Sequence, residues 1–170
     1  MNIHHFICLT LLPFMINAQE NTPLKKSRVD YKGFTEITNE VNIYRQNRLI
    51  SFDDFLKIKD ENNTLILDTR SKEAYEKKHI KGAIHLNFSD FTEKKLAQVI
   101  PSKNTRILIY CNNNIDNDEV NFPGKIITMA LNIPTFINLY GYGYRNIYEL
   151  SDLLPESYIA LEFEGTSIKQ

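Results

Sequence analysis

The sequence is poor in cysteine: its 170 residues hold two, Cys8 and Cys111, which excludes a small fold stapled by several disulfides. It also lacks an excess of charge of either sign. Lys and Arg number 20 against 21 Asp and Glu, a formal net charge of −1, so no basic footprint points to nucleic acid. No apolar run reaches the roughly 20 residues that a membrane-spanning helix needs, and no internal repeat or low-complexity tract is found. What is present is a globular composition, 42% hydrophobic and 24% charged, in a length that suits one domain with extensions.

Residues 1–18 contain no Lys, Arg, Asp or Glu, and residues 6–16 are almost wholly apolar. The run is too short to span a bilayer. It ends in Ile16, Asn17 and Ala18, with small Ala18 where signal peptidase would cut before Gln19. Its N-region carries only the α-amino group, His4 and His5 in place of Lys or Arg. A buried N-terminal element of the domain is the alternative. The polar stretch 19–28 that follows favours export, periplasmic or secreted, with a cleavable signal peptide over 1–18. Cys8 lies inside the apolar run rather than at its end, which excludes a lipoprotein anchor. The mature chain is then expected to keep one thiol, Cys111, no internal disulfide and no membrane span.

Beyond the leader, apolar Phe34, Ile37, Val41 and Tyr44 recur three or four apart, the stripe of a helix capped by Asp30, in an N-terminal extension over 19–48. Leu49 and Ile50 make a very short strand. Ser51 caps a second helix, with Asp53 and Asp54 at its positive end. An alternation follows: strand 65–67 ending at Asp68, helix 71–78 capped by Ser71, strand 83–86, helix 89–100, and strand 106–110, the clearest core strand. After a polar run to Asn121, the pattern predicts a helix from Pro123 to about Leu131, a last strand over 136–139, a glycine turn over 140–143 and a short helix over 144–150. The tail 155–170 carries no signal. Short apolar strands between helices predict an α/β fold with a parallel sheet covered on both faces. Ligands in such sheets bind beyond the carboxyl ends of the strands, where this reading puts residues 68–70, 111–121 and 140–143.

Cys111 therefore follows a buried strand and precedes a loop feeding a helix N-terminus. A thiolate there gains from the helix dipole and from unpaired backbone N–H groups, both of which lower its pKa. A small buried hydrophobe ending a strand is the other reading of the same position.

Leu67, Asp68 and Arg70, then Tyr75, then His79, Ile80, Gly82, Ala83 and Ile84, then Ile109, Tyr110 and Cys111, then Leu139, Gly141, Gly143 and Tyr144 resemble, in order and spacing, the elements of the rhodanese homology domain. The resemblance covers about residues 49–154. It implies an α/β rhodanese-like fold with a five-stranded parallel sheet flanked by helices on both faces. It further implies a sulfurtransferase whose Cys111 accepts sulfane sulfur as a persulfide from a small sulfur donor or a protein persulfide, and passes it to a thiophilic acceptor such as cyanide or a thiol. No cofactor and no metal are implied, and the oligomeric state is left open.

Within that frame Asp68 at a strand end accepts hydrogen bonds, and Arg70 is expected to pair with a carboxylate such as Glu73, an architectural role. His79 and Gly82 form the tight lead into the third strand, with Gly82 supplying backbone freedom. His79 and His85 have no partner with ligand spacing. Gly141 and Gly143 are expected to shape the pocket rim beside the cysteine loop. The amides of Asn112, Asn113, Asn114, Ile115 and Asp116 are expected to cradle the sulfur, the three asparagines bending the backbone through left-handed conformations.

The loop from Cys111 to Asn121 departs from the family in being longer, in lacking a cation and in carrying Asp116, Asp118 and Glu119. Carboxylates beside a thiolate raise its pKa and repel an anionic substrate. Lys125 and Arg145 are the candidate compensating cations. Cysteine phosphatases need an Arg after five intervening residues, and Asn117 holds that position, so phosphatase activity is not expected. The three carboxylates offer the oxygen ligands Ca²⁺ takes, but no glycine follows at the turn position, and the loop reads as solvated surface. Two functions stand: a sulfurtransferase that prefers neutral or protein-borne donors, and a non-catalytic rhodanese-like binding or sensing module. A redox role for a lone thiol forming mixed disulfides is a third.

Overall fold

The computed structural model describes residues 23–168; Cys8 and the leader expected over 1–18 lie outside them. The chain divides into two units, Met1–Asp30 and Tyr31–Gln170, and all helices and strands described belong to the second. In chain order these are α1 (Tyr31–Tyr44), β1 (Leu49–Ile50), α2 (Phe52–Ile58), β2 (Thr64–Asp68), α3 (Lys72–Lys77), β3 (His79–Ile80), β4 (Ala83–His85), α4 (Glu93–Val99), β5 (Arg106–Tyr110), β6 (Ile115–Asp116), α5 (Asn132–Gly141), β7 (Ile147–Leu150), β8 (Leu154–Pro155) and β9 (Phe163–Glu164). Three of the helices start on side-chain caps: Ser51 accepts from Asp54 N–H, Ser71 from Ala74 N–H and Thr92 from Lys95 N–H. Such caps stabilise a helix start by about 1 kcal/mol each.

The central sheet has five strands in the order β1-β7-β5-β2-β4, all parallel. Side chains alternate across it with period two. Ile107 and Ile109 of β5 join Ile147, Phe136, Leu139, Val41 and Leu96 in one core, beneath α1, α4 and α5. Leu108 and Tyr110 face the other way, onto Phe52, Phe55 and Leu150 under α2 and α3. Two small pairings stand apart from this sheet, antiparallel β3–β9 and parallel β6–β8. Both recruit residues after Leu153, so the featureless tail is built into the fold. No helix among the described residues is long and apolar enough to cross a membrane.

The architecture is the one the alternation predicts, with the last helix and strand exchanged. Residues 123–131 hold only a 3-10 turn, Ile127–Met129. Helices this short are stabilised by burying an apolar face, and here Ile126, Ile127 and Met129 are exposed instead. The apolar run Phe136, Ile137, Leu139, read as a strand, lies inside α5, with Pro134 tolerated in its first turn. Residues 147–150, read as helix, are the strand β7 between β1 and β5. A four-residue apolar run does not distinguish the two by periodicity.

Candidate functional site

The alternation along β5 that puts Ile107 and Ile109 on the α5 face carries Cys111 to that same face, just past the strand's carboxyl end. Asn112–Asn114 then make a single 3-10 turn. Asn114 is a clamp: its Oδ1 accepts from Cys111 N–H (2.9 Å), and its Nδ2 donates to Leu150 O (2.9 Å) and Asp152 O (3.1 Å) at the end of β7. Asn113 clips the loop shut farther on, donating to Lys125 O (2.7 Å) and accepting from Lys125 N–H (3.1 Å). The chain returns at Leu131 and Asn132, the start of α5, and the backbone N–H groups of Asn132, Asn113 and Leu131 are directed at the Cys111 sulfur. A cavity of about 240 Å³ opens beside it, lined among others by Arg45, Cys111, Asn114, Ala130, Asn132 and Glu149. Cys111 itself is 1% exposed.

These groups pull the thiol in opposite directions. Burial pushes the Cys111 pKa up, the three amides pull it down, and the charge of Glu149 adds to the rise; the net displacement is upward. The lowered pKa that the sequence suggests is thereby corrected: the donors are in place, but desolvation outweighs them. A raised pKa keeps the thiolate a minority below it, so alkylation of Cys111 by iodoacetamide is expected to climb about tenfold per pH unit from about pH 7 to beyond the free-cysteine value of about 8.5. A plateau at or below neutrality in that rate profile would contradict it.

Residues 51–152 match the family pattern of the Rhodanese-like domain. The chain belongs to the rhodanese-like family. Among solved structures it is similar to the BH2092 protein of Bacillus halodurans, at 18% identity over 78% of this chain and 88% of that one, TM-score 0.51. A rhodanese from E. coli is 20% identical over 60% of this chain and 98% of its own, TM-score 0.40. A thiosulfate sulfurtransferase from Pseudomonas aeruginosa is 15% identical over 76% of this chain and 22% of its own, TM-score 0.44. Among curated proteins none matches the chain significantly.

In this rhodanese-like domain the sulfur cradle is built differently from the one expected over residues 112–116. Of that set Asn113 supplies an amide to the sulfur, and Leu131 and Asn132, from the start of α5, supply two more. Ile115 and Asp116 leave the site as β6, pairing with Leu154 and Pro155, and Ile115 is buried in the opposite core. Asn112 and Asn114 turn without left-handed backbone; the loop's residue of positive φ is Asn117, at 65°. Gly141 and Gly143 do not reach the pocket rim. Gly141 lies against Ile37, in the groove between α1 and α5, and Gly143, with φ 88°, precedes β7 at the amino-terminal end of the sheet. The exchange of the last helix and strand is what displaced them.

The charges also fall elsewhere. Asp118 is bound by Lys78 Nζ (2.8 Å), which also holds Glu156 (2.6 Å), and none of Asp116, Asp118 and Glu119 lines the cavity. No group of three or more His, Cys, Asp or Glu among the described residues is placed to hold a metal ion. Lys125 meets the cysteine loop through its backbone only, and Arg145 lies over the Tyr140 ring at the far end of α5. The cation and carboxylate at the cavity are Arg45 and Glu149, neither of them legible as site residues from motif spacing. Glu149 does stand alone among Ile147, Tyr148 and Leu150, and a lone carboxylate in an apolar run signals a buried partner.

Asp68 and Arg70 form the buried pair beside this site. Arg70 donates to both Asp68 oxygens, at 2.6 Å from Nη2, and to Lys78 O and Asn121 O, so its partner is Asp68 and not Glu73, which pairs with Lys77. Tyr110 donates its hydroxyl to Asp68 as well. His79 bonds Tyr75 O (2.7 Å) and stacks on its ring, and His85 bonds Arg70 O (2.9 Å). Gly82, with φ 80°, turns the chain between β3 and β4.

Proposed function

We propose that this rhodanese-like domain is a sulfurtransferase in which Cys111 carries sulfane sulfur. The thiolate attacks the outer sulfur of a donor persulfide, R–S–SH. The Cys111–sulfur bond forms as the donor S–S bond breaks, and R–S⁻ leaves with the electron pair. An acceptor thiolate or cyanide then attacks the outer sulfur of the Cys111 persulfide, and the Cys111 thiolate departs, regenerated without net oxidation. The observation that carries this reading is the convergence of three main-chain N–H groups on a thiol at the wall of a cavity; such a nest of amides suits the terminal sulfur of a persulfide anion.

The 1% exposure of Cys111 and its raised pKa favour a second reading, a non-catalytic binding or sensing module. Turnover separates the two. With Glu149 beside the thiol and Arg45 already paired to it, cyanide-detected turnover is expected to run at least about tenfold faster on a neutral organic persulfide donor than on dianionic thiosulfate. Equal or faster turnover on thiosulfate contradicts the proposed charge preference; turnover on neither leaves the module reading. Export through a leader over 1–18 accompanies this proposal, and N-terminal sequencing of the secreted chain, expected to begin at Gln19, checks it.

A further inference from the structure

Glu149 is out of place on its own face. Register pairs it with Ile109, so it shares the α5 face of the sheet with Ile107, Ile109 and Ile147 and neighbours Cys111 one alternate step along β5. A carboxylate 5% exposed at such a position is strongly destabilising unless it is paired. Its partner comes from 104 residues away. Arg45, in the 3-10 turn that follows α1, forks onto it, Nη2 to Oε1 at 2.6 Å and Nε to Oε2. Asn132 Nδ2 reaches the same carboxylate at 3.4 Å and Asn114 Oδ1 at 3.0 Å. Two acceptors on one side fix the orientation of the Asn132 amide, and its buried Oδ1 has no hydrogen-bond donor among the described residues.

Of the residues lining the cavity only Arg45, Glu149 and Cys111 are ionisable. The cation of the cavity therefore has its fork occupied by Glu149, and it is the charge of Glu149 that acts on the thiol. Beside the amides at the sulfur, the wall carries the Glu149 carboxylate and the spare Asn132 carbonyl oxygen, which suits an uncharged molecule that donates a hydrogen bond. We propose that Glu149, held by Arg45, is the specificity-determining residue of the Cys111 cavity, admitting uncharged reactants and excluding anions of similar size. For sulfur donors this rests on the sulfurtransferase reading; the selection by charge does not.

Iodoacetate and iodoacetamide, alike in size and differing by one negative charge, test it without any sulfur transfer. Their rate ratio at the Cys111 peptide of the full-length chain cancels thiolate fraction and burial. Wild type is expected to show a ratio about tenfold below that of a small neutral thiol. Glu149→Gln is expected to raise the ratio about tenfold, and Arg45→Gln to lower it, both in chains with wild-type circular dichroism. A wild-type ratio equal to the small thiol's overturns the proposal whether or not either variant folds; so does a folded Glu149→Gln whose ratio does not move. A shifted alkylation ratio in a protein that transfers no sulfur upholds the charge filter and removes only the sulfurtransferase reading.

Discussion

Asp68→Ala is expected to cost the fold about 3–5 kcal/mol, a large share of the 5–15 kcal/mol or so that a domain holds in total. Both partners of the Asp68–Arg70 pair are essentially sealed, with side-chain exposures of 0% and 2%. Removing the carboxylate leaves the guanidinium with two carbonyls, Lys78 O and Asn121 O, and no counter-charge. It also strips the acceptor from the buried Tyr110 hydroxyl, which sits on β5, one residue before Cys111. Because Arg70 holds Asn121 at the end of the cysteine loop, the damage is expected to spread into that loop. The midpoint of urea unfolding, read by circular dichroism, is the measure. Asp68→Asn, which keeps an acceptor of the same shape, is expected to fall between wild type and the alanine variant. A loss below about 1 kcal/mol for Asp68→Ala would place the pair among surface ion pairs in energy and contradict the architectural role given to it.

Cys111→Ser is expected to abolish sulfur transfer. A serine hydroxyl is not measurably ionised near neutral pH and has little affinity for sulfane sulfur, whereas even a thiol with a raised pKa supplies a small, highly nucleophilic thiolate fraction. The substitution leaves the Asn114 clamp intact, since that bond is made to the backbone N–H of residue 111, so the circular dichroism spectrum should not change. Cyanide-detected turnover on a neutral persulfide donor is expected to fall to the uncatalysed rate. Turnover persisting at more than about a tenth of wild type would mean that sulfur is handled elsewhere in the chain.

The parts of the fold legible in the sequence were those where local chemistry and tertiary role agree. Ser51 and Ser71 start helices because their hydroxyls accept main-chain N–H groups. Residues 107–109 are apolar throughout because β5 is covered on both faces, and the loop after a central parallel strand is where a ligand-facing Cys111 is expected. The failures come where short segments carry no period of their own. Phe136, Ile137 and Leu139 fit a strand as well as a helix, and only the pairing of β7 with β1 and β5 decides between them. The cavity charges were hidden for a different reason. Arg45 and Glu149, like Lys78 and Asp118, meet because non-adjacent strands and helices are laid side by side, a relation that motif spacing does not contain. Of the acidic loop's three carboxylates Asp118 is paired with Lys78 and none lines the cavity, while the carboxylate at the cavity, Glu149, lies in a strand.

Mass spectrometry of the full-length chain after brief treatment with a neutral persulfide donor tests the central claim most directly. One added sulfur atom on the Cys111 peptide, removed by cyanide and missing from Cys111→Ser, is the result expected of a thiol held under the amides of Asn113, Leu131 and Asn132. A Cys111 peptide of unchanged mass, in folded protein with donor in excess and at a pH high enough to ionise the thiol, would contradict it and leave a rhodanese-like domain that binds without transferring sulfur.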